Sequence, residues 1–254
     1  MKRYYKLEPP LPKNLYCPGC PVIIAAGALL KDIEKESILA QLKFKNIGDK
    51  IIKSIKVTFK TFDIKSNIIN ECFEYQYSDL ALGFNSEYLD KKGVDFNNPT
   101  IRNFEVYISK IVFNNGSIWE EKAKVFESLP TPKDLVNKLG EELALQYKRD
   151  VGEHSKYEPF VYDDIWCCTC GEYNRIDESN CHSCNTEKTK QFLNLDHSVL
   201  YENRKAYLKV EQKKEEKKRI KTEEESKKKR KKLIVYILSI LLIIGIIFCL
   251  EKYS

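Results

Sequence analysis

The cysteines of this chain are the residues whose type and spacing point most directly to chemistry. Five of the nine fall within 18 residues, at positions 167, 168, 170, 181 and 184. Such dense clustering is typical of a metal site rather than of a disulfide framework. Two close pairs, separated by ten residues, can place four thiolates around one tetrahedral ion. Four protein ligands leave no open coordination position, so the spacing predicts a structural Zn²⁺ site and not a hydrolytic one.

The first cysteine pair can be assembled in two ways. Cys167 and Cys170 have the spacing C-x-x-C, whereas Cys168 and Cys170 have the spacing C-x-C. Spacing alone slightly favours Cys167. His182 lies inside the second pair and is a competing ligand, although we expect it to face solvent. A segment this short has too little core to fold alone, so metal binding is expected to supply much of its stability.

The cysteines belong to the longer string W-x-C-x-C-G-x-x-N-x6-C-x-x-C. It is met by Trp166, Cys168, Cys170, Gly171, Asn174, Cys181 and Cys184. This string resembles zinc ribbons of many bacterial proteins and is similar to the Ran-binding nucleoporin-type zinc finger, apart from a shorter first pair. The similarity implies Cys168, Cys170, Cys181 and Cys184 as the zinc ligands, with Cys167 as a variable neighbour. Fingers of this type include binders of single-stranded RNA, which implies Trp166, Tyr173 and Arg175 as a possible binding surface.

A period of two runs through residues 21–127. Ile38, Ala40, Leu42 and Phe44 alternate with more polar neighbours, and Asn114-Asn115-Gly116-Ser117 is a strong hairpin signal. Six to eight short strands without a long helix between them predict an antiparallel, immunoglobulin-like β-sandwich. Residues 1–20, rich in proline, are predicted to be a loose leader.

The layout of the chain also resembles a group of membrane proteins from Gram-positive anaerobic bacteria. These proteins join a β-sandwich, opening with a strand like Cys20-Pro21-Val22-Ile23-Ile24, to a ribbon of the kind described above. The resemblance covers most of residues 20–190. It implies a fold, but it brings no activity.

The remaining segments are predicted to be helical or linking. Residues 131–150 form a helix in this prediction, with Thr131 as its cap and Leu135, Leu139 and Leu143 as one apolar stripe. A linker follows at 151–164, and the zinc ribbon occupies 165–187. Residues 196–232 are predicted to be a long charged helix, because acidic residues precede basic ones by four positions. The chain is therefore expected to be mainly β with additional α-helices.

The segment Leu233–Leu250 contains 18 residues without a charge. As a helix it would measure roughly 27 Å, close to the thickness of the hydrocarbon core of a bilayer. Six basic residues precede it directly: Lys227, Lys228, Lys229, Arg230, Lys231 and Lys232. This asymmetry predicts a single transmembrane helix with the N-terminal bulk in the cytoplasm, and only four residues follow it, as in a tail anchor. The basic cluster is also expected to attract anionic lipid.

Charge and motifs exclude several classes of function. Arg204–Lys232 has a net charge of +9 while the whole chain has +6, so the excess positive charge is local and is no general signature of nucleic-acid binding. We find no glycine-rich phosphate loop, nucleophile elbow or H-E-x-x-H helix, and we expect no enzyme. The sequence favours a membrane-tethered scaffold with a lipid bilayer and an unknown protein as partners. The alternatives are a nucleic-acid binder and a thiol redox protein that uses Cys17 and Cys20.

Overall fold

The computed structural model describes residues 4–7, 11–120 and 125–252, without the side chains of 238 and 241–252. The chain divides into two units, 1–195 and 196–254. The first unit holds the β-sheets, two helices and the cysteine cluster, and the second is helical. The prediction of a mainly β chain with additional helices is thus confirmed for the described residues.

The described residues of the first unit form two antiparallel sheets, a small third sheet and two helices. The strands are β1 (Tyr4–Leu7), β2 (Leu15–Tyr16), β3 (Val22–Asp32), β4 (Ser37–Asn46), β5 (Ile52–Phe62), β6 (Ile68–Tyr77), β7 (Glu87–Leu89), β8 (Val94–Asp95), β9 (Asn103–Phe113), β10 (Ile118–Glu120), β11 (Glu127–Ser128), β12 (Phe160–Tyr162), β13 (Ile165–Cys167) and β14 (Tyr173–Arg175). The helices are α1 (Leu135–Val151) and α2 (Lys188–Leu193).

The strand order defines how the two large sheets are connected. One sheet has the order β11-β2-β3-β4-β7, with β1 also on β3 and β8 also on β4, and the other has the order β10-β9-β5-β6. The chain passes from the first sheet to the second between β4 and β5 and returns between β6 and β7. It passes over again between β8 and β9, so hairpins within a sheet alternate with connections between sheets.

The two sheets share one apolar core. On β5, Ile55, Val57 and Phe59 are fully buried and Lys56 and Lys60 are partly exposed, while Thr58, between Val57 and Phe59, is buried as well. Phe44 of the first sheet meets Tyr77 of the second with ring centroids 5.0 Å apart. Burying a side chain of this size stabilises the fold by about 1.5–3 kcal/mol, so the sheets are held together mainly by this layer.

Several segments differ in detail from the expectation. Within the predicted leader, Tyr4–Leu7 and Leu15–Tyr16 form strands, while residues 1–3 and 8–10 lie outside the described residues. The predicted linker contains β12. Helix α1 begins later than expected, because Asp134 rather than Thr131 is its cap and accepts the Val136 N–H at 2.8 Å.

The second unit is one continuous helix, α3 (His197–Lys252), of 56 residues. The predicted charged helix and the predicted apolar helix are therefore a single element. Along its charged part, Lys214 pairs with Glu211 at 3.0 Å and Arg219 with Glu223 at 3.8 Å. No helix within the described part of the chain combines the length and the apolar character needed to cross a membrane. Much of the predicted span, the side chains of 238 and 241–250, lies outside that part.

Candidate metal centre

The four cysteines implied by the ribbon motif come together at one point. The sulfur atoms of Cys168, Cys170, Cys181 and Cys184 all lie within 4.8 Å of one another. Cys168 Sγ is 3.5 Å from Cys184 Sγ, and Cys170 Sγ is 3.7 Å from Cys181 Sγ. None of the eight cysteines whose side chains the structure describes is in a disulfide. Four close thiols of this kind are a set of donors that can hold a metal ion.

Two tight turns present the sulfur atoms. In the first, the Gly171 N–H donates to the carbonyl of Cys168 at 2.8 Å, and Gly171 has a positive φ of 94° that favours glycine. In the second, the Asn185 N–H donates to the carbonyl of Cys181 at 2.7 Å, with Asn185 at a φ of 58°. Each turn folds its cysteine pair back on itself, so the two pairs face one another.

The geometry separates Cys167 from Cys168. On β13, Ile165 and Cys167 point into the core of the sandwich, whereas Trp166 and Cys168 point to the cysteine cluster. Successive side chains of a strand face opposite sides, so adjacent cysteines cannot both reach the ion. Burial also raises the pKa of the Cys167 thiol to about 12, which keeps it protonated at neutral pH. Cys168 is therefore the member of the cluster, and the alternation along β13 is the signal that distinguishes the two.

The thiols of the cluster share their protons unequally. Hydrogen bonds with Cys170 and Cys181, together with burial, raise the pKa of Cys168. Hydrogen bonds from Cys168 and Cys170 lower the pKa of Cys181. A metal ion replaces such shared protons with its own charge and releases them on binding.

Gln191 of α2 braces both turns and was missed by the sequence analysis. Its side chain is fully buried; Oε1 accepts the Thr169 N–H at 2.8 Å and Nε2 donates to the Thr186 carbonyl at 3.2 Å. The Gln191 carbonyl accepts the Tyr147 hydroxyl from α1 at 3.0 Å. The two cysteine pairs are thereby linked without the metal. A lone glutamine outside the cysteine spacing gives no signal from which this role could be predicted.

The aromatic residues predicted at a binding surface lie inside the protein. Trp166 is fully buried beneath the cysteines, and Tyr173 is 6% exposed, with its hydroxyl donating to the Pro130 carbonyl at 3.0 Å. Arg175 is exposed, but it pairs with Asp177 at 3.1 Å. A base can stack only on an exposed ring face, so Trp166 and Tyr173 serve packing in this structure.

The ribbon is joined to the sandwich by a charged contact. Glu172, next to the first turn, forms an ion pair with Lys45 of β4 and lies 3.7 Å from His182 Nε2. The His182 side chain is 7% exposed and packs edge-on against Phe84, with ring centroids 5.1 Å apart. The expectation that His182 faces solvent is therefore wrong, because its side chain is buried against Glu172 and Phe84. His182 is not a member of the cysteine cluster.

This contact shifts the ionisation of both partners. Burial opposes the charge of Glu172, but the charges of His182 and Lys45 outweigh it and hold the pKa of Glu172 below its ordinary value. Burial likewise opposes the charge of His182, and Glu172 outweighs it, so the pKa of His182 is raised. Each group is stabilised in its charged form by the other.

Comparisons with known proteins leave the function to be inferred from this geometry. No family model, no curated protein and no solved structure matches the chain. The resemblance to bacterial membrane proteins with a zinc ribbon therefore stays a prediction. The surfaces of the sandwich and the closed set of sulfur ligands are the features on which a function can be based.

Cys168→Ser is expected to remove the bound metal, because it takes one of four sulfur donors from the cluster. Metal affinity should fall by more than about 100-fold, because loss of a residue that only supports a ligand already lowers it by up to about that factor. Cys167→Ala is the matched control and should keep the ion, since Cys167 faces the sandwich core. Native mass spectrometry and elemental analysis of the purified chain measure both. Retention of the metal by Cys168→Ser together with its loss from Cys167→Ala would reverse the assignment.

Glu172→Gln is expected to lower the free energy of unfolding by about 2 kcal/mol, the scale of a charged hydrogen bond. The His182 part of this loss depends on pH. Because the folded pKa of His182 is raised, its contribution is complete below about pH 6.5 and disappears as the pH rises through the folded value. Denaturation of the metal-saturated wild type and variant should therefore differ more at pH 6 than at pH 9. A difference that grows towards pH 9 would contradict the pairing.

Proposed function

We propose that this chain is a membrane-tethered interaction protein, in which a zinc ribbon stiffens one end of a β-sandwich that binds a partner. The observation that carries the proposal is the closed four-sulfur cluster built into the same unit as the sandwich. A metal held by four cysteines has no position left for a substrate, so its contribution is structural. A fold stiffened in this way presents a fixed surface, and fixed surfaces are suited to binding.

Zinc is the metal that fits this set of donors best. Tetrahedral sites of four sulfurs hold zinc or iron–sulfur centres, and short paired turns from a ribbon are typical of structural zinc. The donor set contains no imidazole or carboxylate. Elemental analysis of the purified chain decides between zinc and iron. Iron in a molar amount equal to that of the protein would replace zinc in this proposal.

We assign the sandwich to the immunoglobulin-like type. The support is the strand order: β10-β9-β5-β6 corresponds to the sheet that contains the strands G, F and C, with an added C′. The hairpin of β3 and β4 corresponds to strands A and B. The short strands β7 and β8, which both pair with β4, correspond to strand E. The passages between sheets from β4 to β5, from β6 to β7 and from β8 to β9 occur at the corresponding points of the chain.

The exposed edge strand β6 is the surface of the sandwich best suited to a partner. β6 is the last strand of its sheet, has ten residues, and contains neither lysine nor proline, which commonly protect edges. Ile68 and Tyr75 are 52% and 39% exposed. Such an edge can accept an extended segment of another protein as an additional strand.

The charges of β6 favour a different protein over a second copy. Glu71 and Glu74 lie near the middle of the strand, and Glu74 pairs with Lys56 of the neighbouring strand at 2.6 Å. Two copies paired along the centre of β6 would bring four carboxylates together, and like charges across a strand pair are destabilising. The partner proposed here is therefore an extended segment that is neutral or basic.

Cys72→Lys is expected to reduce partner recovery at least about tenfold, because a lysine on an edge strand opposes strand addition. Asn103→Lys is the matched control: Asn103 is also exposed and lies in the same sheet, but on β9, two strands away from the β6 edge. Quantitative co-purification from membranes, followed by identification of the bound proteins, measures the effect. Equal recovery with both variants would remove β6 as the binding edge.

We further propose that the apolar end of α3 inserts in a bilayer, with the rest of the chain on the cytoplasmic side. Leu233, Ile234, Val235, Tyr236 and Ile237 are between 48% and 66% exposed. A run of exposed apolar residues of this kind is expected to be buried against another apolar phase. For a single apolar helix, that phase is the lipid bilayer. The basic residues Lys227–Lys232 then lie on the cytoplasmic face, where anionic lipid attracts them.

A double substitution, Ile237→Arg and Ile240→Arg, is expected to release the chain from membranes. Each arginine costs about 2.5–3.5 kcal/mol at the centre of a membrane helix and less near its ends. Leu208→Arg, also exposed and on the charged part of the same helix, should have no effect. Extraction of membranes at alkaline pH separates inserted from released protein. Release of the wild-type chain, or digestion of its bulk by protease added outside intact cells, would overturn the proposal.

The burial of the ribbon's aromatic residues argues against the nucleic-acid alternative. Its proposed stacking residues, Trp166 and Tyr173, are buried, and Arg175 is engaged with Asp177. Binding of single-stranded nucleic acid requires exposed ring faces beside unpaired positive charge.

A further inference from the structure

Cys17 and Cys20 are held in a turn whose geometry is suitable for a disulfide. The Cys20 N–H donates to the carbonyl of Cys17 at 3.0 Å, which closes a four-residue β-turn through Pro18 and Gly19. Gly19 has a φ of 81°, as the third position of a type II turn requires. The ends of such a turn lie less than about 7 Å apart between Cα atoms, and disulfides bridge Cα atoms separated by about 4.4–6.8 Å. A turn of this kind therefore brings the two cysteines close to the separation that a disulfide bridges.

The turn is anchored from outside by Asp164, which lies between β12 and β13. Its Oδ1 accepts the hydroxyl of Tyr16 at 2.7 Å, and its Oδ2 accepts the N–H of Gly19 at 2.8 Å. One carboxylate thus holds the residue before the first cysteine and the residue before the second. The turn keeps its shape through these bonds, which do not involve the sulfur atoms.

A cleft of about 370 Å³ gives access to one of the two cysteines. Its lining includes Cys17, Pro18, Tyr162 and Glu127, whereas Cys20 is not part of it. Cys17 is 5% exposed and Cys20 2%. The volume is within the range of small-molecule sites. One sulfur is thus placed for attack from the cleft, and the other lies behind it, as in pairs of an attacking and a resolving thiol.

We propose that Cys17 and Cys20 form a second chemical site, a dithiol that a low-molecular-weight disulfide oxidises reversibly by thiol–disulfide exchange. The Cys17 thiolate attacks one sulfur of the small disulfide, so that a Cys17 mixed disulfide forms and one small thiolate leaves. The Cys20 thiolate then attacks the Cys17 sulfur, the protein disulfide forms, and the second small thiolate leaves. The protein loses two electrons and two protons, and the small disulfide is reduced to two thiols.

The charges of the cleft select the oxidant. Glu127 and Asp163 belong to its lining and are exposed carboxylates. An anionic disulfide is repelled by them, whereas a cationic one is attracted. The site therefore favours cystamine over glutathione disulfide as a probe.

The dithiol is distinct from the metal cluster. The cluster comprises the sulfurs of residues 168, 170, 181 and 184, and neither Cys17 nor Cys20 is among the four. Metal-bound thiolates are also protected from exchange as long as the ion remains. Oxidation of this turn can thus be followed in the metal-loaded chain.

The test treats the purified, metal-loaded full chain with cystamine, quenches it in acid, alkylates the remaining thiols and analyses the peptides by mass spectrometry. The peptide with both cysteines is expected to lose two hydrogen atoms and to resist alkylation, and a reducing thiol should reverse this. In Cys20→Ser, a mixed disulfide should accumulate on Cys17. In Cys17→Ser, the adduct on Cys20 should form at least about tenfold more slowly, because Cys20 does not line the cleft.

Two comparisons keep the outcome unambiguous. Cys72, exposed on β6, should form an adduct in every variant and reports that the reagent is active. Glu127→Gln should lower the ratio of the reaction rate with cystamine to the rate with glutathione disulfide, because it removes one carboxylate from the cleft. The proposal is overturned if the wild-type peptide remains fully alkylated while Cys72 is modified, or if the adducts of the two serine variants form at equal rates. Faster reaction of the wild type with glutathione disulfide would also overturn it.

Discussion

Four sulfur atoms within 4.8 Å of one another cannot all be anionic unless a cation lies between them. The repulsion among neighbouring thiolates is relieved either by protons, which the cluster shares unequally, or by a metal ion. The rest of the ribbon follows from this constraint. Two tight turns bring the sulfurs together, Gln191 holds the turns in register, and buried Trp166 forms the floor. Four neutral thiols that lay far apart would require none of these features.

The ribbon is structurally continuous with the sandwich. Ile165, Cys167 and Tyr173 belong to the core that the two large sheets share. Glu172 adds an ion pair with Lys45 at the surface of this junction. A module of about 20 residues cannot bury enough apolar surface to be stable by itself, so it shares a larger core and contains a cluster of cysteines that can hold a metal ion. This arrangement explains why residues 160–162, predicted as part of a linker, form a strand: β12 completes the small sheet that carries the first turn.

Sequence patterns predicted the β-rich architecture and the cysteine cluster because both depend on local regularities. Alternation with a period of two identified residues 38–44 as a strand, cysteine spacing identified the cluster, and the resemblance to known ribbons implied Cys168 as its member. The choice between Cys167 and Cys168 required one more step, namely which face of β13 meets the core. Gln191 and the partners of His182 were beyond prediction, because their contacts join residues distant in sequence and their side chains follow no period. Asp134 replaced Thr131 as the helix cap because the helix begins only at Leu135, and a cap must precede the first helical residue.

One short hairpin connects the two groups of thiols. The turn between β12 and β13 contributes Asp164, which holds Tyr16 and Gly19, and the strand that follows it leads directly to Cys168. Loss of the metal would free the end of β13 and weaken the support of the Cys17–Cys20 turn. Conversely, a metal ion bound by the cluster would help to keep Asp164 in place, and with it the turn that contains Cys17 and Cys20. Such an ion would contribute order beyond its own ligands, because the elements that it would fix also hold the neighbouring cysteines.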